Sequence, residues 1–298
     1  MRSYLKSFLK FILVLWIISS ATACQTSSKF DSFDGDKAFQ HVVAQLDFGA
    51  RTPGGAAHQN TIAYIAKELE DSGLDVSYQI SDYRGYQVTN IIGSRKSQPS
   101  ILICAHYDSR FFADMDPNPA LAGLPVPGAN DGASGVAILL ELARVLPQKY
   151  SNVGFVFFDF EDQGNIDGMD WIIGSRSFAE HLEYRPSAVI ILDMVGEKDA
   201  QFFYEFNSDV QLNQEIWETA VLLGNDPHFI REFKFSILDD HTPFVEMNIP
   251  AIDVIDFDYP YWHTAADTSD KISPKTLSIV GNTILTWLEN QPGIPKDK

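Results

Sequence analysis

The chain has 298 residues, 45% of them hydrophobic and 21% charged, which is the composition of an ordinary globular protein with material for one large core. Its formal net charge is −18, and no Lys/Arg cluster offsets it. Such a surface repels phosphate backbones, which excludes nucleic acid as an expected partner.

Residues 1–24 form a unit of their own. Arg2, Lys6 and Lys10 precede the apolar run FILVLWII, and Ala21-Thr22-Ala23 lead to Cys24. This is the pattern of a secretory signal, with an apolar run too short to span a bilayer comfortably. The cysteine after small residues resembles a bacterial lipoprotein signal, in which Cys24 is lipidated and opens the mature chain. Gln25 does not resemble the aspartate retention signal, so the expected location is the outer membrane facing the periplasm. The segment carries three basic and no acidic side chains, so the remainder has a formal charge of −18 − 3 = −21. With Cys24 lipidated, Cys104 is left without a disulfide partner, and its place in ILICA reads as a buried structural thiol.

Residues 25–35 are polar and unpatterned and read as a tether. A single catalytic domain is expected over 36–298. Helical patterning at 36–46 is followed by a turn cluster at 51–55 and a helix over 58–71. Strands are expected at 75–80, 87–92, 101–105, 153–159, 188–194 and 250–256, and further helices at 132–146, 173–182, 210–224 and 274–289. Runs such as VGFVFFDF and AVIILDM lack strict alternation, as strands covered on both faces do. The prediction is α/β: one mixed, mostly parallel twisted sheet with helices on both faces. The irregular stretches 109–127 and 256–261 are expected to line a site, with Phe111, Phe112, Tyr259 and Trp262 forming an aromatic mouth.

The chemistry gathers at strand ends. Asp131 lies in GANDGASG at a loop-to-helix turn, and Glu161-Asp162, Asp193, Asp239-Asp240 and His263 follow at later strand ends. Carboxylates and an imidazole converging on one sheet edge need a cation to neutralise them. Asp/Asp/His with an open position suits catalytic zinc. The remaining histidines, His41, His58, His181 and His228, read as surface or capping residues, and His241 as the start of a short helix beside the site.

HYDS (106–109), GANDGASG (128–135), FFDFED (157–162), GSR (174–176), LDMVG (192–196), DDHTPF (239–244) and YWHTAADT (261–268) stand in the order and spacing of the zinc aminopeptidase clan. Within it they resemble the glutaminyl cyclase branch, in its bacterial form, over residues 36–290. The resemblance implies one zinc on Asp131, Asp162 and His263, Glu161 as general acid/base, Asp193 and Asp239 as networked carboxylates near the site, and Trp262 as a pocket wall. It implies peptide or protein N-termini bearing glutamine as substrates, closed to pyroglutamate with loss of ammonia.

Two departures keep alternatives open. Aminopeptidases of the clan hold a second zinc on a histidine and an aspartate that correspond to His106 and Asp193, both present here, so a two-metal peptidase remains the alternative. Asp162 stands where the clan more often has glutamate. Trp262 directly before His263 and the doublet Asp239-Asp240 before His241 favour the cyclase branch, whereas Trp171 before GSR corresponds only loosely to a pocket residue and reads equally as a helix-face core tryptophan. A metal-free binding protein on the same scaffold is disfavoured because it would not need Glu161. Oligomeric state is not legible.

Overall fold

A computed structural model describes residues 33–291. The signal segment 1–24, Cys24 and residues 25–32 of the expected tether lie outside the described residues. The folded part starts earlier than expected: Phe33 is buried against Gly281, and Asp34 caps the first helix by accepting from the N–H groups of Asp36 and Lys37.

Eight strands and seven α-helices are described: α1 (Gly35–Phe48), α2 (Ala56–Asp71), β1 (Asp75–Tyr83), β2 (Tyr86–Ser94), β3 (Ile101–His106), α3 (Ala133–Val145), β4 (Val153–Phe158), α4 (Ile173–Glu180), β5 (Ala188–Asp193), β6 (Phe202–Glu205), α5 (Val210–Leu222), β7 (Phe229–Phe235), α6 (Thr242–Glu246), β8 (Ala251–Ile255) and α7 (Pro274–Asn290). The main sheet has six strands in the order β1-β2-β4-β3-β5-β8. The four strands from β4 to β8 run parallel, and β1 and β2 join antiparallel. The strands expected from sequence all form. A separate parallel pair, β6 and β7, was not expected, because FIREFKF exposes most of its side chains and carries no clear period.

The parallel strands are apolar at every position because they feed two cores. Ile101, Ile103 and Ala105 of β3 enter a large cluster with α1, α2, α3, α5 and α7, while Leu102 and Cys104 enter a smaller one under α4 and α6. The same alternation splits β4 and β5. Helix α3 is apolar nearly all round, and every residue of it except Arg144 is buried, as a central helix requires. In this arrangement the carboxyl ends of β3, β4, β5 and β8 share one edge, the edge where open α/β sheets keep their ligand crevice.

Candidate active site

The expected residues reach that edge from several strand ends and the turns that follow them. His106 ends β3, and the Asp131 loop lies directly against it: a Cβ on Gly132 would stand 2.5 Å from both His106 Nε2 and the His106 carbonyl, so only glycine fits. Asp193 ends β5. Glu161 and Asp162 follow β4, and their backbone N–H groups donate to the Asp108 carboxylate at 3.1 and 3.3 Å, while Gln163 Nε2 donates to it at 2.9 Å. Asp108 thus explains the acid of the HYDS motif: it shapes the turn that carries Glu161 and Asp162.

Asp131 and Asp162 meet His263 at one point. His263 Nε2 lies 2.7 Å from Asp162 Oδ1 and 3.7 Å from Asp131 Oδ2. Donor atoms from the three residues fall within 4.8 Å of one another. Asp131 Oδ2, Asp162 Oδ2 and His263 Nε2 are nevertheless buried without a hydrogen-bond partner, Nε2 meeting Asp162 Oδ1 only as an ion-pair contact. Lone pairs converging on one point fit a divalent metal, and two carboxylates with one imidazole fit zinc. His106, Asp131 and Asp193 also have donor atoms within 4.8 Å of one another. Here, however, His106 Nε2 is already occupied: it hydrogen-bonds Asp193 Oδ1 at 3.3 Å and stands 3.1 Å from Asp131 Oδ1.

The buried carboxylates at this edge raise one another's proton affinity. Burial pushes Glu161 well above the carboxylate range; His106 opposes this, and the charges of Asp162, Asp239 and Asp240 add to it. Burial and the charge of Asp131 bring Asp162 up to about 6, and burial with Asp193 brings Asp239 up to about 7. Burial also acts on Asp131, but hydrogen bonding to His106 and the His106 charge hold it below its usual value. A bound divalent ion reverses this logic by favouring the charged carboxylates.

The site opens into a cavity of about 240 Å³ lined by Glu161, Asp193 and Asp239 together with the three proposed ligands. Its apolar wall is Trp171, Trp262, Phe257, Met194, Ile237 and Leu238. The imidazole of His263 meets two indoles: Trp262 stacks on it at 3.8 Å and Trp171 lies nearly parallel to it at 5.9 Å. Trp171 is therefore a wall residue on the loop before α4, not a helix-face core residue. It lies flat on Gly164, where an added Cβ would come within 2.0 Å of the indole, and Arg110 covers it at 4.9 Å.

Of the expected aromatic mouth only Trp262 lines the cavity; Phe111 and Phe112 pack on each other, and Tyr259 is buried with its hydroxyl on Asp267 at 2.6 Å. The loop 109–127 acts instead as a buttress, with Met115 N–H donating to the His263 carbonyl and Asp116 accepting from Ala265 N–H. His58 also departs from expectation. It is fully buried, 2.7 Å from Asp159, and stacked on Tyr107. His41 is half-buried against Tyr64. His228 caps a carbonyl, that of Ala200, as anticipated, and His181 is exposed.

Two supporting residues escaped the sequence reading. Asp267 accepts from the N–H groups of Asn130 (2.9 Å) and Asp131 (3.2 Å), and burial with the nearby Asp131 charge brings it up to about 7. Arg51 is fully buried and donates to the carbonyls of Tyr107, Pro127 and Gly128, holding the same loop from the other side. The only signals were YWHTAADT for the first and the RTPGG turn for the second. Neither announces a contact spanning over 70 residues.

The glutaminyl-peptide cyclotransferase of Boiga irregularis is 23% identical over 282 aligned residues, covering 80% of this chain and 75% of the relative. The glutaminyl cyclase of Tannerella forsythia superposes with a TM-score of 0.80 at 34% identity, covering 88% of this chain and 100% of that one. A Zn-dependent exopeptidase from Parabacteroides distasonis does so equally, at 0.80 and 35%, covering 88% and 99%. Residues 88–288 match the model of peptidase family M28. With that match over most of the folded chain, and with these structural neighbours, the chain belongs to peptidase family M28.

Proposed function

We propose that this chain closes N-terminal glutaminyl residues of peptides and proteins to pyroglutamate, with release of ammonia, using one zinc ion on Asp131, Asp162 and His263. The carrying observation is the contrast between the two adjoining ligand groups: one leaves three buried donor atoms unpartnered, while in the other His106 is engaged with Asp193. The likeness to glutaminyl cyclases at 34% identity over 88% of the chain supports the same reading.

Zinc in this position would supply a Lewis acid that polarises the γ-carbonyl of the substrate glutamine. The chain's own residues do the rest. The indoles of Trp171 and Trp262 and the side chain of Phe257 exclude water and hold one side chain in a space below the ~300–1,000 Å³ usual for drug-sized ligands. Folding the glutamine onto itself places its α-amine against its own γ-carbonyl carbon, so the reaction is intramolecular. The amine nitrogen forms the new C–N bond and the bond to the amide nitrogen breaks. Glu161, on the cavity wall, takes the proton from the amine and returns it to the departing nitrogen, which leaves as ammonia. No water is consumed. Asp193 raises the proton affinity of Asp239, and Asp239 raises that of Glu161, so the two carboxylates tune the proton carrier.

A two-metal aminopeptidase is the second reading, favoured by the geometry of His106, Asp131 and Asp193 and by the exopeptidase among the structural neighbours. A paired assay decides between them: ammonia release from a Gln-Phe dipeptide beside anilide release from a Leu-anilide, with zinc counted in the same sample. Ammonia without anilide release, with zinc held by only one of the two cavity groups, supports the cyclase; anilide release with both cavity groups filled overturns it.

Export and lipidation at Cys24 are proposed from residues 1–24 alone, with the outer membrane's periplasmic face as the location. Labelling with a fatty-acid probe, lost in Cys24→Ala, tests the anchor; membrane fractionation tests the location.

A further inference from the structure

Behind the catalytic cavity lies a second group of buried titratable side chains that the proposed reaction does not use. It joins three elements: Glu205 at the end of β6, His241 at the start of α6, and Asp253 in the middle of β8. Asp239, on the cavity wall, completes it. Donor atoms from Asp239, His241 and Asp253 lie within 4.8 Å of one another, the same compactness that marks the group around His263.

The polar bookkeeping of this group does not close. His241 and Asp253 are fully buried; His241 Nδ1 and both carboxylate oxygens of Asp253 lack a hydrogen-bond partner, and His241 Nε2 has only its ion-pair contact with Glu205. An unpaired carboxylate buried at this depth is costly, by several kcal/mol or more on the order of magnitude of buried charges. Glu205 is differently placed. Its carboxylate accepts from the N–H groups of Asn207, Ser208 and Ile237, and it lies 3.1 Å from His241 Nε2.

That contact orients the ring. With Nε2 turned to Glu205, Nδ1 faces Asp253 Oδ2 across 4.0 Å. The gap exceeds the ~2.7–3.2 Å of a hydrogen bond, so a proton does not bridge it directly. It is close to twice the ~2.0–2.2 Å of a zinc–nitrogen or zinc–oxygen bond. A histidine whose far nitrogen is held by a carboxylate is also how proteins orient metal-binding imidazoles.

We propose that Asp239, His241 and Asp253 form an inner site for a zinc-like divalent transition-metal ion, with Glu205 orienting His241. The imidazole selects such an ion over magnesium or calcium. Asp239 borders the cavity, so the ion enters through the catalytic site and, once bound, fixes the inner side of that carboxylate.

The test is metal content of the full-length chain, stripped with chelator, reloaded with zinc chloride and desalted. Asp131→Asn removes the ligand shared by both cavity groups, so zinc kept by this variant reports the inner site. About one zinc per chain is expected in Asp131→Asn and none in Asp131→Asn/Asp253→Asn. Absence of zinc in Asp131→Asn, with zinc in the wild type, overturns the proposal and means that protons close the cluster. So does equal zinc in the single and double variants. Should Asp253→Asn not fold, His241→Gln replaces it, and anomalous diffraction at the zinc edge on the wild type gives an independent answer. A peak between His241 Nδ1 and Asp253 supports the inner site, and a peak at His263 alone overturns it. Neither readout depends on ammonia release, so the inner site and the proposed reaction fail separately.

Discussion

Replacement of Asp267 tests whether the proposed metal site is held by its backbone. The carboxylate accepts three hydrogen bonds: from Asn130 N–H at 2.9 Å, from Asp131 N–H at 3.2 Å and from the Tyr259 hydroxyl at 2.6 Å. Asp267→Ala strands all three buried donors, at about 1–3 kcal/mol each, or on the order of 3–9 kcal/mol in total before the relief of a buried charge is subtracted. Asp267→Asn keeps one carbonyl oxygen for Asn130 and Tyr259 and turns an amide N–H₂ toward Asp131 N–H. It therefore loses a single bond, at about 1–3 kcal/mol. Because Asp131 is a proposed ligand, the loss reaches the metal: zinc affinity should fall roughly 10–100-fold in Asp267→Ala, in line with other residues that orient ligands, and less in Asp267→Asn. Urea unfolding gives the first quantity and zinc competition against a fluorescent chelator the second. If Asp267→Ala unfolds with wild-type stability, or binds zinc as tightly as wild type, the loop does not depend on this carboxylate and the reasoning fails.

Glu161→Gln should retain zinc while turnover falls by about 10²–10⁴, because it removes the proton carrier alone; ammonia release together with metal analysis checks both halves. His263→Ala should lose cavity zinc as well as activity. Gly164→Ala places a methyl into the Trp171 indole, so the expected outcome is a raised KM with intact zinc, seen in the peptide concentration dependence of ammonia release. The metal-stripped protein should lose stability as pH rises. Asp239 and Asp267 are each raised from 3.8 to about 7 in the folded state, so the fold binds their protons more tightly than the unfolded chain does. That contribution is complete below about pH 4 and gone above about pH 7, at no more than ~1.4 kcal/mol per pH unit for each group. Thermal unfolding in chelator from pH 4 to 8 should show a falling Tm that zinc flattens; a Tm rising steadily across that window refutes the assignment.

Much of this protein is written in local sequence. A strand buried on both faces must be apolar at every position, and a helix buried all round must be apolar all round, so β3, β4, β5 and α3 announce themselves without neighbours. The proposed ligands are equally legible, because acids and a histidine at strand ends have no reason to gather on an apolar sheet except around a cation. Tertiary structure decided what depends on distance in space. β6 and β7 gain their order from packing on α5 and each other, not from a period in FIREFKF. Trp171 becomes a cavity wall because Gly164 leaves room for its indole, and Tyr259 leaves the mouth because Asp267 claims its hydroxyl. His58, unremarkable in a helical segment, is buried because Asp159, 101 residues away, lies beneath it. The identity of the acids and the histidine is thus a property of the chain, whereas which of their atoms stay unpartnered, and so where a metal fits, is settled only by the fold.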